Sequence, residues 1–113
     1  FVDSENQTAI LGTPGGSRII SMVFLGTLEH LQGKPVTDWV SRPRFHHQYL
    51  PDVIQHEPNT FSDDVKKALE KKGHKLKNIN RQYGNMQAIL VNKKTGQVSA
   101  ASDERAVGEA QVQ

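Results

Sequence analysis

Cysteine is absent from this chain of 113 residues, which excludes disulfides and thiolate chemistry. Aromatic residues are scarce at 6%, and the hydrophobic share is 35%. A core of modest size follows, enough for a single domain over residues 1–113. No run of 18 or more apolar residues occurs, so no helix is expected to span a membrane. A strong charge of one sign is also missing: the formal net charge is +2. A basic run is present at Lys66, Lys67, Lys71, Lys72, Lys75 and Lys77. Acids are interleaved with it and aromatics are not nearby, which indicates a solvated face and no nucleic-acid partner. Phe1-Val2-Asp3 has neither a starting methionine nor a signal-peptide pattern, so the chain reads as a segment of a longer protein.

What is present is an alternation of hairpins and helices. Phe1 to Asp3 and Thr8 to Leu11, separated by the polar Ser4 to Gln7, predict a hairpin. Gly12 to Gly16 interrupts the apolar run, and helical spacing follows from Ser17 to Gln32. Ile20, Val23, Phe24, Leu28 and Leu31 fall on one face, widened by Met22 and Leu25, and predict a deeply buried helix. Gly33 and Pro35 end it. Val36 to Val40 predicts a short second helix, and Val53 to His56 a short strand. Ser62 caps a further helix with Asp63 and Asp64 in its first turn, Lys71 and Lys72 in its last, and Gly73 beyond. Val65, Ala68 and Leu69 form its narrow apolar stripe. Met86 to Val91 and Gln97 to Ala101 predict a second hairpin, and the tail from Glu104 is polar and expected to fray. The order β-β-α-α-β-α-β-β indicates an α+β or layered sheet rather than a doubly wound one. A full sheet needs strands beyond these two hairpins.

The chemistry-bearing feature is the junction at Pro14-Gly15-Gly16. The first turn of a helix has N–H groups without intrahelical partners, and the helix dipole adds partial positive charge there. A glycine exposes its N–H with no side chain in the way. Gly15 and Gly16 are therefore candidates to hold an anion or a developing oxyanion. A tight turn with a close-packed helix start accounts for the same residues, and both readings stand at this point. Ser17-Arg18 after the glycines does not complete a phosphate-binding loop, the dinucleotide spacing fails, and no Gly-x-Ser-x-Gly elbow occurs.

Weaker candidates surround the junction. His46-His47 has no further ligand at metal spacing, so histidines bonding backbone around a proline-rich corner are expected rather than a metal site. His56 and Glu57 meet them only through folding. Ser17 lacks a base at a telling spacing and reads as a helix-start residue. Asp103 and Arg105 pair across the end of the last strand, or are exposed.

Leu11 to Ile20 resembles the Gly-Ser/Thr-Pro-Gly-Gly-Ser-Arg-Ile segment of the gamma-glutamyltranspeptidase family. Pro43-Arg44-Phe45-His46-His47-Gln48 with Leu50-Pro51-Asp52 resembles a second block, and Ser62 to Gly73 the helix that follows it. Ala101-Ser102-Asp103 resembles the start of the closing Ser-Asp-Pro-Arg segment, with Glu104 in place of the proline. These blocks occur in family order across nearly the whole chain.

The resemblance implies an N-terminal-nucleophile hydrolase with an αββα sandwich, of which this chain is the C-terminal part of the small subunit with an incomplete sheet. Such enzymes are precursors that cleave themselves. The new N-terminal threonine attacks a gamma-glutamyl amide, glutathione being the usual class, and water or an amine resolves the ester. Gly15 and Gly16 match the family's oxyanion-hole glycines. The nucleophile and the residues that bind the substrate's amino and carboxylate groups lie outside the matched segment. The implied partners are the rest of the small subunit and the large subunit of the same precursor. No cofactor or metal is expected, and the chain alone is expected to be inactive and prone to self-association through unpaired strand edges. Bacterial members are commonly periplasmic or extracellular. Relatives that act on cephalosporin side chains or poly-gamma-glutamate are the alternative within the family. A noncatalytic anion-binding or structural module is the alternative outside it.

Overall fold

A computed structural model describes residues 1–112. Contacts divide the chain into two compact units, one of Phe1–Arg42 with the chain from Gly84 onward, the other of Pro43–Tyr83.

The first unit is built on a four-stranded antiparallel sheet. Strands β1 (Val2–Asp3) and β2 (Gln7–Gly12) form the first hairpin, with Val2 opposite Ala9 and Asp3 opposite Thr8. Ser4 closes their turn, its N–H donating to the Gln7 carbonyl at 2.9 Å while its hydroxyl accepts from the Gln7 N–H at 3.1 Å. Asp3 accepts from Thr8 Oγ1 at 2.5 Å and pairs with Lys93 Nζ at 2.6 Å. The Lys93 hydrogen bond first, then that of Thr8, holds the Asp3 carboxyl below its ordinary range.

The second hairpin joins the same sheet. It comprises the β-strands Gln87–Asn92 and Val98–Ser102, here called the inner and outer strands. The order is β1, β2, inner strand, outer strand. Leu11 lies opposite Ala88, and Ala88 opposite Ala101. The core row is made of small side chains: Ala9, Ala88 and Ala101 are all buried, beside Met86. Small residues let helices approach the sheet closely. Helices α1 (Ile19–Leu31) and α2 (Val36–Ser41) do so. A Cβ added at Gly26 of α1 would come within 2.9 Å of Leu11 Cδ1 and 3.1 Å of Met86 Sδ, so the bare backbone sets the spacing. Trp39 of α2 is buried, donates from Nε1 to the Lys34 carbonyl at 2.9 Å and meets the His30 ring edge-on at 4.9 Å between centroids.

The side of α1 that faces the sheet differs from the expected one. Met22, Leu25, Gly26 and Glu29 are buried, whereas Ile20 is 80% exposed, Phe24 58% and Leu31 67%. The helix is apolar on two sides, and its spacing alone does not say which side the sheet takes. Buried Glu29 is matched by an ion pair with Arg42.

The second unit contains the strand expected around Ile54 and two that were not expected. Strand β3 (Phe45–His46) pairs antiparallel with β4 (Ile54–His56), and β4 pairs parallel with β5 (Leu76–Asn78). The parallel pair requires a crossover, which α3 (Asp63–Lys71) supplies. Ser62 caps α3 as expected, its Oγ accepting from the Val65 N–H at 3.3 Å. None of α3 is buried, so the Val65, Ala68 and Leu69 stripe remains open in this chain.

Glu57 ties this unit together. It is 1% exposed. Its Oε2 accepts from the Arg44 N–H at 3.0 Å and its Oε1 from the Tyr83 N–H at 2.9 Å, near the two ends of the unit. Arg44 Nη1 donates in turn to the Tyr83 carbonyl. Replacing Glu57 with alanine strands two amides, and each buried donor left unpaired costs about 1–3 kcal/mol. Hydrogen exchange at Arg44 and Tyr83 is expected to accelerate together in Glu57→Ala. Unchanged protection at both amides would contradict the clasp.

Candidate active site

Strand β2 ends at Gly12, and the chain reverses through Thr13, Pro14, Gly15 and Gly16 into a 3-10 turn, Gly16–Arg18, that runs directly into α1. Both glycines have backbone angles that favour glycine: φ is 153° at Gly15 and 58° at Gly16. Space makes a second demand at Gly15, where an added Cβ would lie 2.5 Å from Met22 Cε. Around Gly16 the space is open. The Gly15 carbonyl accepts from the Arg18 N–H at 3.2 Å, and the Gly16 carbonyl from the Ile19 N–H. Among the described residues neither the Gly15 N–H nor the Gly16 N–H donates a hydrogen bond. Two consecutive exposed donors thus stand at the start of a helix, where negative charge is favoured.

Thr13, which spacing did not single out, supports the turn. Its hydroxyl donates to the Pro14 carbonyl at 2.9 Å and accepts from the Asn85 N–H at 3.1 Å. The only signal for it in the sequence is a hydroxyl residue immediately before Pro14.

The same end of the sheet, where Gly12 lies opposite Gln87 and Gln87 opposite Ser102, is held by Asp103, which is 1% exposed. Its Oδ2 accepts from the Met86 N–H at 2.9 Å, and its Oδ1 from the Arg105 N–H at 3.0 Å. Arg105 Nη1 lies 3.1 Å from the same Oδ1. The guanidinium also donates to the carbonyls of Val40, Ser41 and Arg42 at 2.9, 3.3 and 3.0 Å, closing the C-terminus of α2. Asp103 and Arg105 are therefore a buried structural pair. The tail is anchored through Arg105, one residue beyond the point where fraying was expected.

The histidines bond both side chains and backbone. His46 Nε2 lies 2.8 Å from Gln48 Oε1, and His47 Nε2 lies 2.9 Å from Asp52 Oδ1. The His47 hydrogen bond holds the Asp52 carboxyl below its ordinary range. His47 and His56 also bond the backbone as expected: His47 Nδ1 accepts from the Tyr49 N–H at 3.4 Å, and His56 Nδ1 lies 2.8 Å from the Glu57 carbonyl. No group of three or more metal-ligating side chains occurs among the described residues. None of their helices is long and apolar enough to cross a membrane.

The family model for gamma-glutamyltranspeptidase matches residues 1–113. The glutathione hydrolase proenzyme of Escherichia coli strain K12 is 40% identical over 99 residues, covering 87% of this chain and 17% of that protein. Glutathione hydrolase proenzyme 1 of Schizosaccharomyces pombe is 37% identical over 97 residues, covering 85% of this chain and 15% of that protein. The chain thus spans less than a fifth of the length of these curated relatives. Among solved structures, a mutant gamma-glutamyltranspeptidase of Helicobacter pylori superposes with a TM-score of 0.80 at 34% identity, covering 87% of this chain and 54% of that one. The Bacillus anthracis transpeptidase CapD shares the fold at a TM-score of 0.84 and 23% identity, covering 99% of this chain and 68% of that one.

Proposed function

This chain belongs to the gamma-glutamyltranspeptidase family, and we propose that it is the C-terminal segment of such an enzyme's small subunit and supplies its oxyanion hole. Its fold is α+β, a part of the αββα sandwich of N-terminal-nucleophile hydrolases. The observation that carries the proposal is the glycine turn: two consecutive N–H groups without partners among the described residues, at the start of α1.

In the complete protein, the hydroxyl of an N-terminal threonine attacks the carbonyl carbon of a gamma-glutamyl amide. The hydroxyl proton passes to that threonine's own α-amine, and the carbonyl oxygen becomes an oxyanion. The Gly15 and Gly16 N–H groups donate to it. Collapse breaks the C–N bond, the amine leaves with the proton, and a gamma-glutamyl ester remains. Water or an acceptor amine then attacks the ester carbonyl, and its proton passes by way of the α-amine to the departing threonine oxygen. The ester C–O bond breaks to release the gamma-glutamyl product, and the same two donors serve a second time. The oxyanion forms only during reaction, so the donors stabilise the transition state more than bound substrate. Glutathione is the proposed substrate class, from the names of the relatives. The rest of the precursor is the proposed partner, and for a bacterial source a periplasmic or extracellular location belongs to the same reading.

Intact-mass measurement and N-terminal sequencing of the protein as purified from its source test the assembly. A polypeptide that carries this segment and itself begins with threonine is expected, together with a second polypeptide, the large subunit. A single uncleaved polypeptide would contradict it.

A further inference from the structure

We propose that Thr13 is a positioning residue that sets the direction of the first oxyanion donor, an inference that rests on the glycine-turn reading above. A trans peptide is planar, and its C=O and N–H point in opposite directions. The carbonyl of Pro14 and the N–H of Gly15 belong to one such plane. The Thr13 hydroxyl donates to that carbonyl at 2.9 Å, so it fixes where the Gly15 N–H points. The next plane joins the Gly15 carbonyl to the Gly16 N–H, and it is fixed in the same manner by the Arg18 N–H at 3.2 Å. Each donor of the pair is thus aimed through the oxygen on its own peptide.

The Thr13 hydroxyl is itself anchored. A hydroxyl has one proton to give and lone pairs to receive. The proton goes to Pro14, and the Asn85 N–H donates to Oγ1 at 3.1 Å from across 72 positions of sequence. Asn85 leads into the inner strand, which pairs with β2 from Gly12 back to Gln7. The turn is therefore referenced to the rigid sheet and not only to its own loop. Met22 completes the support. It is 1% exposed, its Sδ lies 3.9 Å from Thr13 Oγ1, and its Cε lies where a Gly15 side chain would begin. Rotation of the Gly15 peptide in either sense breaks the hydroxyl bond.

The test is a set of variants in the full-length protein that carries this segment, assayed with a gamma-glutamyl anilide for the single-turnover acylation rate and for KM. Thr13→Val keeps the shape and removes the hydroxyl. It is expected to slow acylation about tenfold, the effect of one lost hydrogen bond, with KM within about twofold of wild type. Thr13→Ser is expected to restore the rate. Thr13→Ala replaces the valine variant if that one does not fold, with the same expectation. A wild-type acylation rate in the hydroxyl-free variant, even with a lowered Tm, would overturn the positioning role. So would equal losses in the serine and valine variants. Gly15→Val separates the two readings: if it is slow while Thr13→Val is not, the glycine turn is catalytic without Thr13. If both keep the wild-type rate, the oxyanion reading itself fails.

Discussion

The isolated 113-residue chain is expected to release no detectable amine from a gamma-glutamyl anilide, at any substrate concentration. The proposed reaction needs a threonine whose own α-amine is free to accept the hydroxyl proton. The first residue of this polypeptide is Phe1, and its threonines at 8, 13, 27, 37, 60 and 95 are all internal. The proposed glycine donors would have no oxyanion to stabilise, because nothing in the chain generates one. The substrate-binding residues implied by the resemblance also lie outside this segment, so the expected outcome is complete loss, not a slow rate. Turnover by the purified chain that survives removal of trace full-length enzyme would contradict the assignment of its role.

A second large effect is expected at Gly15. In the complete enzyme, Gly15→Val should slow acyl-enzyme formation about a hundredfold, since loss of one oxyanion donor is worth about 3 kcal/mol. The valine meets two obstacles. Its φ of 153° is one that L side chains rarely adopt, and its Cβ would press on Met22 Cε. The turn has to shift, and the N–H shifts with it. Gly12 supplies the control: it lies in β2, has open space at its Cβ position and no positive φ. Gly12→Ala should retain most of the acylation rate. Equal rates in Gly15→Val and wild type, with both folded, would remove Gly15 from the mechanism.

The parts of the fold that sequence made visible are those with local causes. The hairpins show as apolar runs broken by polar turns, and both formed. Ser62 with Asp63, Asp64 and Lys71 marked α3 because caps and the helix dipole act within one turn. The missing parts depend on distant partners. β3 and β5 have two and three residues, too few for any period to register. β5 exists because α3 carries it back alongside β4. Ile20 and Phe24 look like core residues by spacing, yet the sheet takes the side with Gly26, where Leu11 and Met86 come close. The first unit is discontinuous, closed by pairing between β2 and a strand about 80 positions later.

The candidate site was legible in a similar way. The glycine junction stood out as a break between two apolar periods, and the resemblance supplied the role proposed for it. Thr13 did not stand out, because its value lies in a bond to Asn85 that only the folded chain creates. Asp103 and Arg105 were visible as a pair, but their hold on Met86 and on the end of α2 was not.

In the proposed mechanism the N–H groups of Gly15 and Gly16 both donate to the oxyanion of the reaction. A crystal structure of the complete protein with a tetrahedral adduct on its nucleophilic threonine tests this directly. The adduct oxygen is expected about 2.7–3.1 Å from both the Gly15 and the Gly16 nitrogen. An oxygen that points to other donors, with both glycine N–H groups left in solvent, would contradict it.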